Sequence, residues 1–151
     1  MTYDDDPFED DLGEELDMFV EAQDAVWPDV LSELKAGKKT SHWMWFVFPQ
    51  LASLGQSPMS QLYGLEDLRE AELYLGHDVL RARLIEVCDL VLTHKGRAAD
   101  AILGRVDAKK LRSSMTLFAA APNAPSQCAS VLAAFFDSIP CEATMQNVAP
   151  V

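Results

Sequence analysis

An all-α fold, a single compact multi-helical domain of about seven or eight helices, follows from three observations. Apolar residues recur at spacings of three and four along most of the chain. Glycine and proline fall at the ends of those stretches, where helices start and stop. The one apolar run able to pair as a strand, residues 43–48, has no second convincing strand to pair with. At 151 residues, 49% of them hydrophobic, the chain suits one domain. It buries enough surface to fold without a disulfide or metal staple.

Leu16, Phe19, Val20 and Gln23 share one face of a first helix. Trp27-Pro28 predicts a break, because proline disfavours the helical conformation in the residue before it. Pro28 then suits the first turn of a second helix, which carries Val30, Leu31 and Leu34 and stops at Gly37. Residues 43–48 are apolar all round and read as a buried helix. It begins near Thr40 or Ser41, either able to cap it, and ends before Pro49. Ser57-Pro58 reads as a cap followed by proline at the first helical position. A helix over 67–75 turns Leu68, Ala71 and Leu75 inward and closes at Gly76. Asp78 can cap the next, whose apolar stripe is Leu80, Leu84, Val87, Cys88 and Val91. A short helix over 98–103 ends at Gly104. Asp107 caps another with Leu111, Met115 and Phe118 inward, and a last one runs from about Pro125 to Ser138. The organisation read from this is an acidic disordered tail (1–15), a helical domain (16–138) and a C-terminal tail (139–151).

The formal net charge of −12 is unevenly spread. Residues 1–17 hold nine acids and no base, which leaves fifteen acids and all twelve bases for the rest, a net of −3. Such an acidic block reads as a solvated arm, either solubilising or a lure for a basic partner. The body has no basic stripe to displace counterions, so nucleic acid is not an expected partner. No run approaches ~20 apolar residues, so no membrane span is expected. The acidic start is the reverse of a secretory leader, and a cytoplasmic protein is expected. Cys88, Cys128 and Cys141 are odd in number and contain no C-x-x-C pair, which argues against a disulfide framework or a four-cysteine zinc site. Histidines at 42, 77 and 94 do not have metal-ligand spacing. Neither metal nor cofactor is expected, and a monomer is the favoured state.

The named catalytic signatures for nucleotide, zinc and serine chemistry are missing. Two clusters remain. Residues 41–50 contain His42, Trp43, Trp45 and Gln50, an unusual density of side chains whose polar hydrogens need partners when buried. They are either core or the wall of a pocket, in which an aromatic face stacks a planar ligand and His42 and Gln50 supply hydrogen bonds. Residues 109–116, Lys-Lys-Leu-Arg-Ser-Ser-Met-Thr, are the most basic stretch. On a helix, Lys109, Arg112 or Ser113, and Thr116 share one face, and Lys110 and Ser114 another. Either face suits a phosphate or carboxylate; the alternative is a solvated face beside the core stripe.

The same clusters carry a family resemblance. Phe19-Val20-Glu21-Ala22-Gln23, Glu33-Leu34-x-x-Gly37-x-Lys39, the run from Ser41 to Leu51, Leu54-Gly55-x-Ser57, Glu70-Ala71, Tyr74-Leu75-x-His77 and Lys110-Leu111-x-Ser113-Ser114-Met115-Thr116-Leu117-Phe118 are similar to the bacterial family called domain of unknown function 1810. Its members are sometimes labelled calpastatin, but nothing in this sequence points to a protease inhibitor. The resemblance spans about residues 16–137. It implies a compact, mainly α-helical cytoplasmic protein and no established reaction. Departures lie outside the two most specific strings: Asp78, Ala52-Ser53 and Gly64 stand where the family tends to have proline, an Ala-Gly pair and a small aliphatic residue.

Together the clusters predict one shared pocket. His42, Trp43, Trp45 and Gln50 face Lys110, Ser113, Ser114 and Thr116, with Tyr63 or His77 near the rim. The expected function is binding, with or without turnover, of a small anionic, nucleotide-like metabolite. Tryptophan stacks the plane, Lys110 meets the anion, and His42 is the candidate catalytic acid/base. The alternative is a non-enzymatic protein–protein interaction domain with a structural aromatic core.

Overall fold

The computed structural model describes residues 7–148, with side chains from residue 13 onward. Among the described residues the chain is all-α. The helices are α1 (Pro7–Ala36), α2 (Met44–Val47), α3 (Pro58–Leu62), α4 (Leu68–Leu75), α5 (Asp78–Leu92), α6 (Ala99–Leu103), α7 (Arg105–Ala119), α8 (Ser126–Phe136) and α9 (Glu142–Val148), with a 3-10 turn at Ala52–Leu54. The central packing sets α7 against α6 and α8, and α5 against α1 and α8. No described helix is long and apolar enough to cross a membrane.

α1 joins what the sequence predicts as two helices, and the break at Trp27-Pro28 does not occur. Proline removes one N–H from the ladder and leaves the Asp24 carbonyl without its helical donor. Pro28 and Asp24 are both exposed, so water can meet that carbonyl. Contacts to α5 hold the helix in the turn that leads into the proline. Arg83 pairs with Asp24 at 2.5 Å and lies 5.1 Å from the centre of the Trp27 ring, while Trp27 Nε1 donates to Glu86. The helix also starts before Leu16. Residues 7–15 are helical where a disordered tail is expected, and a run of acids is favourable at a helix N-terminus. Residues 1–6 of that stretch lie outside the described residues.

Several punctuation signals act as expected. Gly37 ends α1 with φ +72°, Ser57 Oγ accepts from Ser60 N, and Asp67 accepts from Glu70 N. Three caps differ from expectation. His77, not Asp78, caps α5, its Nδ1 accepting from Leu80 N at 3.3 Å. Gly104, at φ +88°, precedes α7, and Asp107 lies inside the first turn, where its carboxylate is used in ion pairs. Neither Thr40 nor Ser41 caps α2: the helix starts only at Met44, with Trp43 at its N-cap position and no side-chain cap, because another partner holds the 40–41 segment outside it. The helix over 43–48 is therefore reduced to four residues.

The segment expected as a C-terminal tail contains α9, which packs on α7. Arg112 donates to the Ile139 and Pro140 carbonyls at 2.8 and 3.1 Å, and Cys141 N donates to Thr116 Oγ1 at 2.9 Å. These bonds, with the fully buried Thr144, hold the segment against the body.

The core is continuous. Leu34, Trp43, Leu80, Leu84, Leu111, Met115 and Phe118 are fully buried. Phe19 meets Tyr74 edge-on at 5.2 Å, and Tyr74 meets Phe118 at 5.1 Å, which links α1, α4 and α7. One polar side chain crosses this core. Gln23 Nε2 donates to Phe46 O at 2.7 Å and to the Tyr74 hydroxyl at 3.2 Å, and Gln23 Oε1 accepts from Arg83 at 3.3 Å. It ties short α2 to α1. Gln23→Leu leaves the Phe46 carbonyl and the Tyr74 hydroxyl buried without this donor, and should cost about 1–3 kcal/mol. Urea unfolding should show a lower midpoint with an unchanged slope.

Candidate functional site

The site begins at the end of α1. The Glu33 carboxylate accepts from Thr40 N at 2.7 Å, Ser41 N at 2.8 Å, Ser41 Oγ at 2.5 Å and Trp43 Nε1 at 3.1 Å. Burial alone would raise its pKa. The Ser41 hydroxyl, the Thr40 and Ser41 amides and the Trp43 indole outweigh that and lower it to about 2. The loop so fixed carries Lys39, whose Nζ donates to Ser41 O at 2.6 Å, pairs with Asp107 at 2.8 Å, and lies 4.9 Å from the Trp43 ring centre. Asp107 also meets Lys110, more distantly, at 3.7 Å. Lys110 in turn lies 5.7 Å from the ring centre of Trp45. Asp107 is thus engaged chiefly by Lys39, and the Lys110 charge is only loosely compensated.

The opposite wall is the 50–65 loop. Ala52 N donates to Leu65 O at 2.8 Å and Leu65 N to Gln50 O at 2.9 Å, a two-bond clamp. Gly64 is required at this clamp, since a Cβ there would lie 2.4 Å from Ala52 Cα. Gln61 Nε2 donates to the carbonyls of Ala52 and Gly55 and closes the turn.

Between this loop and α7 lies an open cleft of about 630 Å³, within the usual range for small-molecule sites. Gln50, Gln56, Ser57, Ser60, Lys109, Lys110, Ser113 and Cys141 supply its polar groups, and Leu54 and Val106 its apolar ones. Among the described residues, two lysines line it and no carboxylate does. A crevice beside it, lined by Trp45, Tyr63, Gln50 and Lys110, has only about 10 Å³ of room, roughly that of one water.

The sequence-predicted residues divide accordingly. Gln50, Lys110 and Ser113 line the cleft, and Trp45 and Tyr63 line the adjoining crevice. Trp43 is a core residue, fully buried with its indole on Glu33. His42 is exposed, with its ring 6.5 Å from that of Trp45, and lines neither space. A catalytic His42 therefore has no place in this cleft. His77 is spent on capping α5. Ser114 is fully buried, and Thr116 Oγ1 donates to Arg112 O and accepts from Cys141 N. The face of α7 read as an anion site thus largely holds the chain's own C-terminal segment. Among the described residues no aromatic ring lines the large cleft, so the stacking expected of Trp43 and Trp45 is not available there. Lys109, which the sequence places on a face of α7 suited to an anion, lines it as well. Gln56, Ser57, Ser60 and Cys141 line it without a sequence signal for binding; Ser57 reads from sequence only as a cap.

Two outcomes follow. Trp43→Ala should cost about 3–5 kcal/mol, and Trp45→Ala about 1–2 kcal/mol, since that ring is only half-buried; both are read from urea midpoints. Unfolded Glu33 takes its proton near 4.5 and folded Glu33 near 2. The stability it confers is full above 4.5 and lost as pH falls from there toward 2. Glu33→Gln should destabilise by roughly 1–2 kcal/mol at neutral pH. The gap to wild type should narrow across that same acid window.

Comparison with known proteins agrees with this architecture. A crystal structure of the conserved hypothetical protein Rv1873 from Mycobacterium tuberculosis shares 44% sequence identity and superposes with a TM-score of 0.88, over 97% of this chain and 100% of that one. No curated protein gives a significant match. The family model described as protein of unknown function DUF1810 matches residues 13–148, and the chain belongs to that family.

Proposed function

We propose that this protein binds a small anionic metabolite in the cleft between the 50–65 loop and α7. The observation that carries the reading is charge. In a chain with a formal net charge of −12, this cleft is lined, among the described residues, by Lys109 and Lys110 and by no acid. Lys109 is exposed and makes no ion pair among the described residues. Lys110 shares Asp107 with a closer lysine. Walls of low polarisability concentrate such a field and raise the local concentration of counter-ions. The amides of Gln50 and Gln56 and the Ser60 hydroxyl add donors, and the Ser57 and Ser113 hydroxyls, whose protons go to Ser60 Oγ and Lys109 O, add acceptors, which suits a ligand with hydroxyl groups beside its anion. A sugar phosphate or hydroxy-carboxylate matches this lining better than the nucleotide-like ligand expected from the tryptophans. No reaction is assigned.

Thermal melts with sugar phosphates, hydroxy-carboxylates and nucleotides test the reading. A ligand at a hundred times its Kd adds about 2.7 kcal/mol, a rise of roughly 5–11 °C for a domain of this size. The rise should be lost in the Lys109→Ala/Lys110→Ala double variant and kept in Lys95→Ala, an exposed lysine outside the cleft. No rise with any anion, or a rise that survives the double variant, would overturn the proposal.

A further inference from the structure

We propose that the ligand's anion is seated where the cleft narrows into the crevice beside Trp45 and Tyr63, and that this seat takes the carboxylate of a small hydroxy acid in preference to a phosphate. The proposal deepens the binding reading above and rests on it.

Gln50, Ser60 and Lys110 line both the cleft and the crevice, and so mark the junction of the two spaces. Lys109 and Gln56 line the cleft alone. Neighbouring positions on a helix do not face the same way, so the two lysines of α7 serve different parts of the cleft. The junction belongs to Lys110.

Ser60 supplies a donor held in place at that junction. It is only 8% exposed. Its N–H donates to Ser57 Oγ at 3.1 Å, and that hydroxyl donates back to Ser60 Oγ at 3.0 Å. The Ser60 hydroxyl proton is then left for a further acceptor, and none takes it among the described residues. Close packing fixes where this hydroxyl lies. A Cβ on Gly55 would run into the Ser60 side chain, and one on Gly64 into the Ser60 carbonyl. The backbone of Gln50 is also fixed, its carbonyl accepting from Leu65 N at 2.9 Å, while its side-chain amide has no protein partner among the described residues. The junction thus gathers a hydroxyl, an amide and an ammonium, donors that suit an oxygen anion.

Size and charge choose the anion. The crevice has room for about 10 Å³, roughly one water. One carboxylate oxygen fills it and leaves the second at Lys110. A phosphate leaves two further oxygens and a second charge at the mouth. Lys39 and Lys110 share Asp107, so the three together offer one net positive charge, which a carboxylate matches. The second charge of a phosphate has only Lys109, on another part of the cleft. Beyond the junction, Leu54 and the exposed Val106 give a short carbon chain apolar contact.

The test titrates the full chain with glycerate, glycerol 3-phosphate and glyceramide, which put a carboxylate, a phosphate and no charge on a three-carbon skeleton. Binding is read from thermal melts and from the indole N–H resonances. Glycerate should bind about tenfold tighter than glycerol 3-phosphate, and glyceramide should not bind. The Trp45 resonance should shift, and that of Trp27, whose indole is held by Glu86, should not. Gln50→Glu and Lys110→Met should each abolish glycerate binding. Gln56→Glu and Lys109→Met, off the junction, should weaken it by no more than about threefold at physiological salt. Ligand-free melts establish that each variant folds. Tighter binding of the phosphate, or equal losses in the two pairs of variants, overturns the seat and leaves the binding reading standing. No binding of glycerate overturns the seat as well. The binding reading falls with it only if the other anions also leave the melt unmoved.

Discussion

Four donors converge on one carboxylate at the end of α1, and the arrangement of the cleft depends on them. The loop after Gly37 has no regular structure of its own, and buried backbone amides need acceptors wherever a helix cannot supply them. Glu33 provides that acceptor for Thr40 and Ser41 and adds the Ser41 hydroxyl and the Trp43 indole. With the loop held, Lys39 is delivered to Asp107. With Asp107 engaged, Lys110 keeps most of its charge for the cleft. A carboxylate that touches no part of the cleft thereby sets the electrostatics of its wall.

Most of the fold was legible because burial follows helical spacing. The stripe Leu80, Leu84, Val87, Cys88 and Val91 is the buried face of α5, and Leu111, Met115 and Phe118 are fully buried in α7. What sequence could not supply was the strength of contacts between distant residues. A local rule puts a break at Pro28. The Arg83, Asp24 and Trp27 cluster, about sixty residues apart in sequence, carries the helix through it. The same holds at the C-terminus. Residues 139–141 have no helical pattern, yet Arg112 and Thr116 find acceptors and donors there.

The site was legible in part, for a related reason. Composition identified both walls, since Gln50 lies in the aromatic string and Lys110 and Ser113 in the basic one. It could not tell which rich residues were already spent. Trp43 and Trp45 look alike in sequence, two positions apart, but one donates to Glu33 inside the core and the other flanks Lys110. Ser113, Ser114 and Thr116 are close neighbours on α7 with separate fates: the cleft edge, the interior, and the anchor of Cys141. Cys141 carried no signal, because its environment is assembled from α7 and α9 together.

The balance of charges decides which anions such a cleft can accept. The chain as a whole is negative, most of it in the nine acids of residues 1–17, and a polyanion lying across the body meets a surface of net negative charge with no basic stripe. A small anion inside the cleft meets Lys109 and Lys110 at short range. Salt screens interactions beyond roughly 8 Å under physiological conditions, so the near lysines outweigh the distant acids for the small ligand alone. A long polymer cannot confine its phosphates to the cleft, and it has no basic stripe to release its counterions. The acidity of the chain and the basicity of one cleft are then complementary. On the proposed reading, the first disfavours nucleic acids and similar polymers, and the second favours a short anion against the polar wall that Glu33 keeps in place.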